Sequence, residues 1–277
     1  MALAINTKVA SMGAARHLMK STNKLGTTFE RLSSGLRINR ASDDTAGLSI
    51  GTRMTAQVRG LNQAIRNAND AISLVQVAEG ALEETTNAIQ RMRELAIQSA
   101  TDTMTTSDRA DLQKEVDQLM AEIERISTQS EFNNQKVIDG TFTAKNFQVG
   151  MNANQTILVG ITSAGMSALF GDIDSVSIGS GANVAAINTE IGEIDNALDS
   201  VSDIRAQLGA YQNRFDAVIA NLNSVVESTS AARSRIMDAD IAAETANLTK
   251  NAIMQQAGTA ILAQANQQPQ IALQLLG

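Results

Sequence analysis

The 277-residue sequence reads as mainly α: a long coiled-coil-like helical rod with a small β-hairpin region and its two termini paired. Apolar side chains recur at coiled-coil spacing at both ends of the chain, while the β-like stretch is confined to the middle. One proline, Pro269, interrupts the whole length, so long helices meet almost no breaker. Aromatic side chains, which dominate compact cores, are scarce, with six Phe, one Tyr and no Trp. A chain that runs out along helices and returns along helices brings its ends together.

The first helix is marked by Leu18, Leu25 and Leu32, seven residues apart, and ends at Ser33-Ser34-Gly35. A polar connector, Asn39-Arg40-Ala41-Ser42-Asp43-Asp44, supplies good N-cap residues for a second helix. From Met54 its apolar pattern steps through Val58, Leu61, Ile65, Ala68, Ile72 and Val75, then more loosely through Leu82, Ile89 and Leu95 to about Ser99. Residues 101–106 read as a turn. Thr106 or Ser107 is the expected cap of a third helix, whose seam is Leu112, Val116, Leu119, Ile123 and Ile126.

Composition changes at Phe132. Four of the six Phe and seven of the eighteen Gly fall between Phe132 and Gly181, so this is the β and loop region. Asp139-Gly140 is expected as a hairpin turn between Val137-Ile138 and Thr141-Phe142, residues 155–159 as a further strand, and Gly179-Ser180-Gly181 as a loose tip. Helical heptads resume at Ile187 and pass Ile191, Ile194, Leu198, Val201, Leu208, Phe215, Ile219, Leu222 and Val226. Arg205 and Gln212 occupy seam positions, where polar residues fix register at some cost in stability. The last helices follow from about Arg235.

Asn251 to Gly277 carries no charge, yet holds Ile253, Met254, Ile261, Leu262, Ile271, Leu273, Leu275 and Leu276. Such a tail is expected to be disordered in a monomer and helical in an assembly, because a lone helix does not recover the entropy of its ordering. Its nine Asn and Gln residues would be poorly solvated in lipid, which favours packing inside a protein tube where amides bond to one another.

Site chemistry is sparse. Cysteine is absent, which excludes disulfides, thiolate zinc sites and cysteine nucleophiles. His17 is the lone histidine, so no His-based triad or His-x3-His pair can form, and a plain surface or interface role is expected for it. Gly179-x-Gly181 lacks the rest of a dinucleotide loop, and no phosphate-loop motif occurs. Asp43-Asp44 and Glu83-Glu84 are neighbours whose side chains diverge on a helix, as capping and solvation require. Asn154-Gln155-Thr156 and Asn247-Leu248-Thr249 fit the glycosylation pattern only as any Asn- and Thr-rich chain does. No catalytic residue, cofactor or metal ligand is assigned.

A net charge of −7 without a basic aromatic patch speaks against nucleic acid, and no apolar window is long enough to span a bilayer. Lys8, Arg16, Lys20 and Lys24 precede the first acid, Glu30, but no apolar segment of signal-peptide type follows them. Export, if it occurs, is expected to use no cleavable signal peptide.

Motifs along the chain match one family. They are residues 33–39 (SSGLRIN) with Asp43-Asp44-Thr45-Ala46-Gly47-Leu48, Arg66-Asn67-Ala68-Asn69-Asp70, Arg91-Met92-Arg93-Glu94-Leu95-Ala96 and Phe132-Asn133-Asn134-Gln135-Lys136, then Ala232-Arg233-Ser234-Arg235-Ile236, Gln255-Gln256-Ala257-Gly258 and residues 262–267 (LAQANQ). Over about residues 1–140 and 187–277 the chain resembles bacterial flagellin, the filament subunit of the flagellum. The short interval between the matched halves implies that the central outer domains are absent or minimal and the filament thin and smooth.

The resemblance implies an inner coiled coil of residues 1–44 and 238–277 lining the filament channel, with 45–237 as an outer helical layer and the β region at about 132–186. It implies polymerisation into a helical homopolymer for motility, placing Leu18, Leu25, Leu32, Ile253, Ile261, Leu262 and Leu273 at the assembly contacts. Passage through the flagellar type III apparatus, a flagellar export chaperone, and filament cap and hook-associated proteins as neighbours follow from the same likeness. Residues 90–95 with Glu115 resemble the segment engaged by Toll-like receptor 5, with Arg91 as a forked donor beside Leu95 as an apolar knob. A hook–filament junction protein and a secreted helical ligand acting as a monomer are the alternatives.

Overall fold

The computed structural model describes residues 9–161, 171, 173, 176–179 and 183–274, the side chains of 268–274 excepted. Among these residues are five α-helices and two small antiparallel sheets, arranged as α1 (Val9–Ser34), α2 (Thr45–Ser99), α3 (Thr106–Gln129), β1 (Glu131–Phe132), β2 (Gln135–Lys136), β3 (Lys145–Gln148), β4 (Thr156–Val159), α4 (Val184–Met237) and α5 (Ile241–Gln274). The chain divides into two compact units, residues 59–226 and residues 1–58 with 227–277.

The 59–226 unit is built on α2. Its deepest seam is Leu61, Ala64, Ala68, Ala71, Val75, Ala78, Leu82, Thr85, Ile89, Met92, Ala96 and Ser99, an unbroken 3,4 alternation in which every member is buried. Small side chains hold half of these positions, so neighbouring helices come close. Ile65 and Ile72, expected on the seam, are displaced to its half-buried edge. From α4, Ile187, Ile194, Val201, Leu208 and Phe215 enter the same core, as do Val116 and Ile123 of α3. Across α2 and α4, Arg93 meets Asp195 at 2.6 Å, and Glu79 receives both Gln212 at 3.2 Å and Arg205 at 3.7 Å. The two polar seam residues of α4 thus converge on one carboxylate.

The connector from α3 to α4 departs from expectation in its turn. Asn133 and Asn134, at φ 50° and 61°, form the two-residue loop between β1 and β2, with Phe132 opposite Gln135. Asparagine tolerates the left-handed conformation that a type I′ turn demands at both central positions. Asp139-Gly140 makes no hairpin. Instead Asp139 Oδ1 accepts from the Thr141 amide at 2.9 Å, which turns the chain so that Val137, Ile138 and Phe142 all enter the core. The strand expected at residues 155–159 is β4, paired with β3, and its Ile157 and Val159 face inward. Phe147 of β3 meets Phe215 edge-on with ring centroids 6.0 Å apart. Of the loose tip only Gly179 lies within the described residues.

Helix ends are capped in detail. The cap of α3 is Thr105, not Thr106 or Ser107: its hydroxyl accepts from the Asp108 amide, and the Asp108 carboxylate accepts in return from the Thr105 amide. Asn183 caps α4 through the Ala186 amide at 2.7 Å. Helix α4 then runs unbroken to Met237, so a single helix, α5, follows it.

These contacts shift acidities in opposite directions. The Thr105 amide, then its hydroxyl, lowers the Asp108 pKa, and the Arg40 and Asn39 amides lower that of Asp43. Burial raises the pKa of Glu190, whose Oε2 is enclosed without a hydrogen-bond partner. A lowered carboxylate stabilises the fold above its unfolded pKa, near 4, and that stability is lost as pH falls through the folded value. A raised one acts in reverse, opposing the fold once it ionises.

Three outcomes are expected. Asp108→Asn lowers the urea midpoint at pH 7, with the gap to wild type closing as pH drops below about 4, whereas Glu190→Gln raises the midpoint at pH 7. Phe215→Ala costs about 3–5 kcal/mol in the same urea titration, because a fully buried ring is replaced by a cavity.

Candidate functional site

Residues 1–58 with 227–277 contrast with the first unit described. Among the described residues, Ile38 is their one buried apolar side chain. The contacts that form this unit are instead long and partly polar.

Helices α1 and α5 pack antiparallel. At one end Ser11 Oγ donates to Asn266 Oδ1 at 2.6 Å; further along, Ser21 Oγ donates to the Asn251 carbonyl at 3.3 Å and Asn251 Nδ2 to Thr28 at 3.5 Å. On α1 the side facing α5 is Ser11, Ala14, Leu18, Ser21, Leu25, Thr28 and Leu32. On α5 it is Glu244, Leu248, Asn251, Gln255, Gly258, Leu262 and Ala265, every member of both rows buried or half-buried. Both rows hold 3,4 spacing, so each is a coiled-coil seam with hydroxyls and amides between the leucines. A Cβ on Gly258 would lie 3.3 Å from Leu18 Cδ1, so the glycine admits the leucine. Arg31 approaches the buried Glu244 at 4.0 Å.

The bases of the two helices are tied by backbone. Gly35, at φ +70°, ends α1, and its carbonyl accepts from the Ala239 amide at 2.9 Å. The Arg37 amide donates to the Met237 carbonyl at 2.7 Å, and the Arg37 guanidinium reaches the Ile236 carbonyl at 2.6 Å. Asp240 caps α5 by accepting from the Ala242 and Ala243 amides at 2.9 and 3.1 Å. The SSGLR and SRI motifs of the sequence are therefore the strap that closes the helix pair.

The expected assembly residues divide into two groups. Leu18, Leu25, Leu32 and Leu262 are half-buried in the seam within one chain. Ile253 and Ile261 are 59% and 57% exposed and turn away from it. The side chain of Leu273 lies outside the described residues. Ser21, Thr28, Asn251 and Gln255 were missed from sequence; their signal was the regular 3,4 spacing between leucines.

In the 59–226 unit, Arg91 and Glu115 do meet, at 2.8 Å, and Arg91 also bonds Glu94 at 2.9 Å. Leu95, expected as an exposed knob beside them, is 1% exposed and belongs to the core. A position four residues from Arg91 falls beside the Met92–Ala96 seam, which turns its side chain inward. His17 is exposed. No group of three or more His, Cys, Asp or Glu that could hold a metal occurs among the described residues, and no helix there is long and apolar enough to cross a membrane.

Comparison with known proteins accords with this geometry. The family model for the bacterial flagellin N-terminal helical region matches residues 5–143, and that for the C-terminal helical region matches residues 191–276. Flagellin of Halalkalibacterium halodurans is 46% identical over 98% of this chain and 99% of its own length. The flagellar filament 33 kDa core protein of Treponema phagedenis is 43% identical, and the flagellin of Bacillus subtilis 42%, each over 98% of this chain and 99% of the relative. Bacillus cereus flagellin superposes with a TM-score of 0.50 at 30% identity, over 57% of this chain and 88% of that one. A putative flagellar hook-associated protein from Vibrio parahaemolyticus reaches 0.55 at 14% identity over 71% and 100%, which speaks for the fold alone. With both helical regions matched and relatives aligned end to end, the chain belongs to the bacterial flagellin family, the structural subunits of the flagellar filament.

Proposed function

We propose that the paired terminal helices are the polymerising element of this filament subunit, with residues 1–44 and 238–277 lining the channel of the tube and 45–237 forming the layer outside. One observation carries this reading. The 1–58 and 227–277 unit buries almost no apolar side chain of its own, yet Met12, Met19 and Phe29 of α1 and Ile253, Met254 and Ile261 of α5 are each more than half exposed. Exposed apolar surface of this extent on a helix pair marks a binding face, and other copies of the chain supply the cover. The work is mechanical, and no residue is assigned a chemical step.

Export in an unfolded state through the flagellar type III apparatus, without a cleavable signal, suits this design. A chaperone covering the carboxyl-terminal helix would keep the exposed Ile and Met side chains apart until assembly. Hook-associated proteins and the filament cap are the proposed neighbours at the two ends of the polymer. The junction-protein alternative is disfavoured by 42–46% identity to flagellins along the full chain, and the monomeric-ligand alternative by the uncovered helix faces.

Deleting residues 251–277 is expected to leave a soluble 59–226 unit that no longer yields filaments in electron micrographs. Leu25→Asp is expected to do the same by placing an unpaired charge in the seam. Normal filaments from either variant would overturn the reading.

Receptor recognition is proposed in a narrower form, resting on the exposed Arg91–Glu115 pair without a Leu95 knob. In a Toll-like receptor 5 reporter assay, Arg91→Ala is expected to lower monomer signal while leaving the melting curve nearly unchanged. Leu95→Ala is expected instead to destabilise the fold by about 2–5 kcal/mol. A fully active Arg91→Ala monomer would remove this proposal.

A further inference from the structure

Resting on the filament reading, we propose that the exposed Met12–Met19–Phe29 stripe of one copy docks into the groove between α1 and α5 of a second copy. Helix α1 carries two seams. Residues 11, 14, 18, 21, 25, 28 and 32 face α5, and residues 12, 15, 19, 22, 26 and 29 repeat the same spacing one position on, about 100° around the helix. The large members of the second row are open: Met12, Met19 and Phe29 are 62%, 67% and 62% exposed.

The row mixes large and small members, and its Thr22 hydroxyl accepts from Gln255 Nε2 of α5 at 3.4 Å. Met12, Met19 and Phe29 stand as knobs, with Ala15, Thr22 and Gly26 leaving space between them. A single exposed hydrophobe is ordinary, but a heptad series on a helix already committed to one coiled coil is the pattern of a second. The row contains no charge, so its burial strands none.

The groove lies on the opposite flank of the same helix pair. It has a volume of about 540 Å³ and is walled by His17, Lys20 and Lys24 of α1 and Lys250 of α5, with Met254 and Ile261 as apolar floor. Those α1 residues lie on the other side of the seam from the stripe, as helical rotation requires. Gly258, also lining it, makes room for Leu18 beside that floor. The lysine stems extend the apolar walls while their ammonium groups stay in water. The flexible thioethers of Met12 and Met19 suit an irregular slot.

Stripe and groove on opposite flanks cannot form a self-complementary pair. Each copy offers knobs in one direction and a groove in the other, so the contact repeats without closing, which is the geometry of a filament.

The absence of cysteine makes the test clean. Filaments of a Met19→Cys/Ile261→Cys variant, oxidised and run on a non-reducing gel, are expected to give a ladder of covalent oligomers, while each single variant stays monomeric. If the double variant does not assemble, mixed filaments of the two single variants are expected to give covalent dimers. Met19→Ser is expected to raise the critical concentration for assembly about tenfold. Filaments that give no cross-linked species, dimers from Met19→Cys alone, or an unchanged critical concentration would overturn the docking and leave the filament reading intact. A wild-type chain that never forms filaments would overturn both.

Discussion

The antiparallel seam between α1 and α5 is the constraint on which the terminal unit depends. It joins residues more than two hundred positions apart, such as Ser11 with Asn266, and so carries a large loop-closure cost unless the strap at Gly35, Arg37, Met237 and Ala239 holds the bases together. Register is set by polar groups. Asn251 can meet Ser21 and Thr28 in one alignment only, and Arg31 reaches Glu244 in that same alignment. Half-buried Arg31 at 4.0 Å from buried Glu244 contributes little stability, but a register shift would leave the Glu244 carboxylate buried without its cation.

Charge is divided as unevenly as burial. Residues 1–58 with 227–277 hold 11 Lys and Arg against 7 Asp and Glu, a net +4, whereas residues 59–226 hold 11 against 22, a net −11. Acidic units of neighbouring copies therefore repel at low salt, a repulsion screened beyond about 8 Å at physiological ionic strength. The uncharged tail from Asn251 onward is free of this penalty.

Much of the fold was legible because it is written in spacing. The end of α2 at Ser99, the strand at Thr156–Val159 and the heptads of α4 all follow from periodicity that tertiary contacts reinforce. Residues misread from sequence share a different cause. Ala64, Ala71 and Ala78 are too small to be distinguished from a surface alanine by hydrophobicity, yet close helix approach makes them the seam. Asn133-Asn134 was hidden because Asp139-Gly140 has the stronger turn propensity, and propensity yields where Val137 and Ile138 must both face the core. Leu95 was assigned to the surface by resemblance although the apolar pattern through Leu82 and Ile89 had already included it. Ser21, Thr28, Asn251 and Gln255 of the terminal seam were missed because Ser, Thr, Asn and Gln do not register in a search for apolar repeats.

The two units embody different answers to the entropy of ordering a helix. In residues 59–226 an unbroken, mostly apolar buried seam, two aromatic rings in contact and satisfied caps let the unit stand on its own burial. In the terminal unit the seam alternates leucine with hydroxyl and amide, which gives alignment at the expense of strength. A stronger seam would hold the helix pair shut in every monomer, ready to aggregate inside the cell through Met19, Phe29 and Ile261. A weaker one would not present the stripe and the groove in fixed relation. On the proposed reading, marginal intrachain packing beside a large exposed apolar face would couple ordering of the termini to arrival at a neighbour, so that the filament would grow where copies meet an existing end.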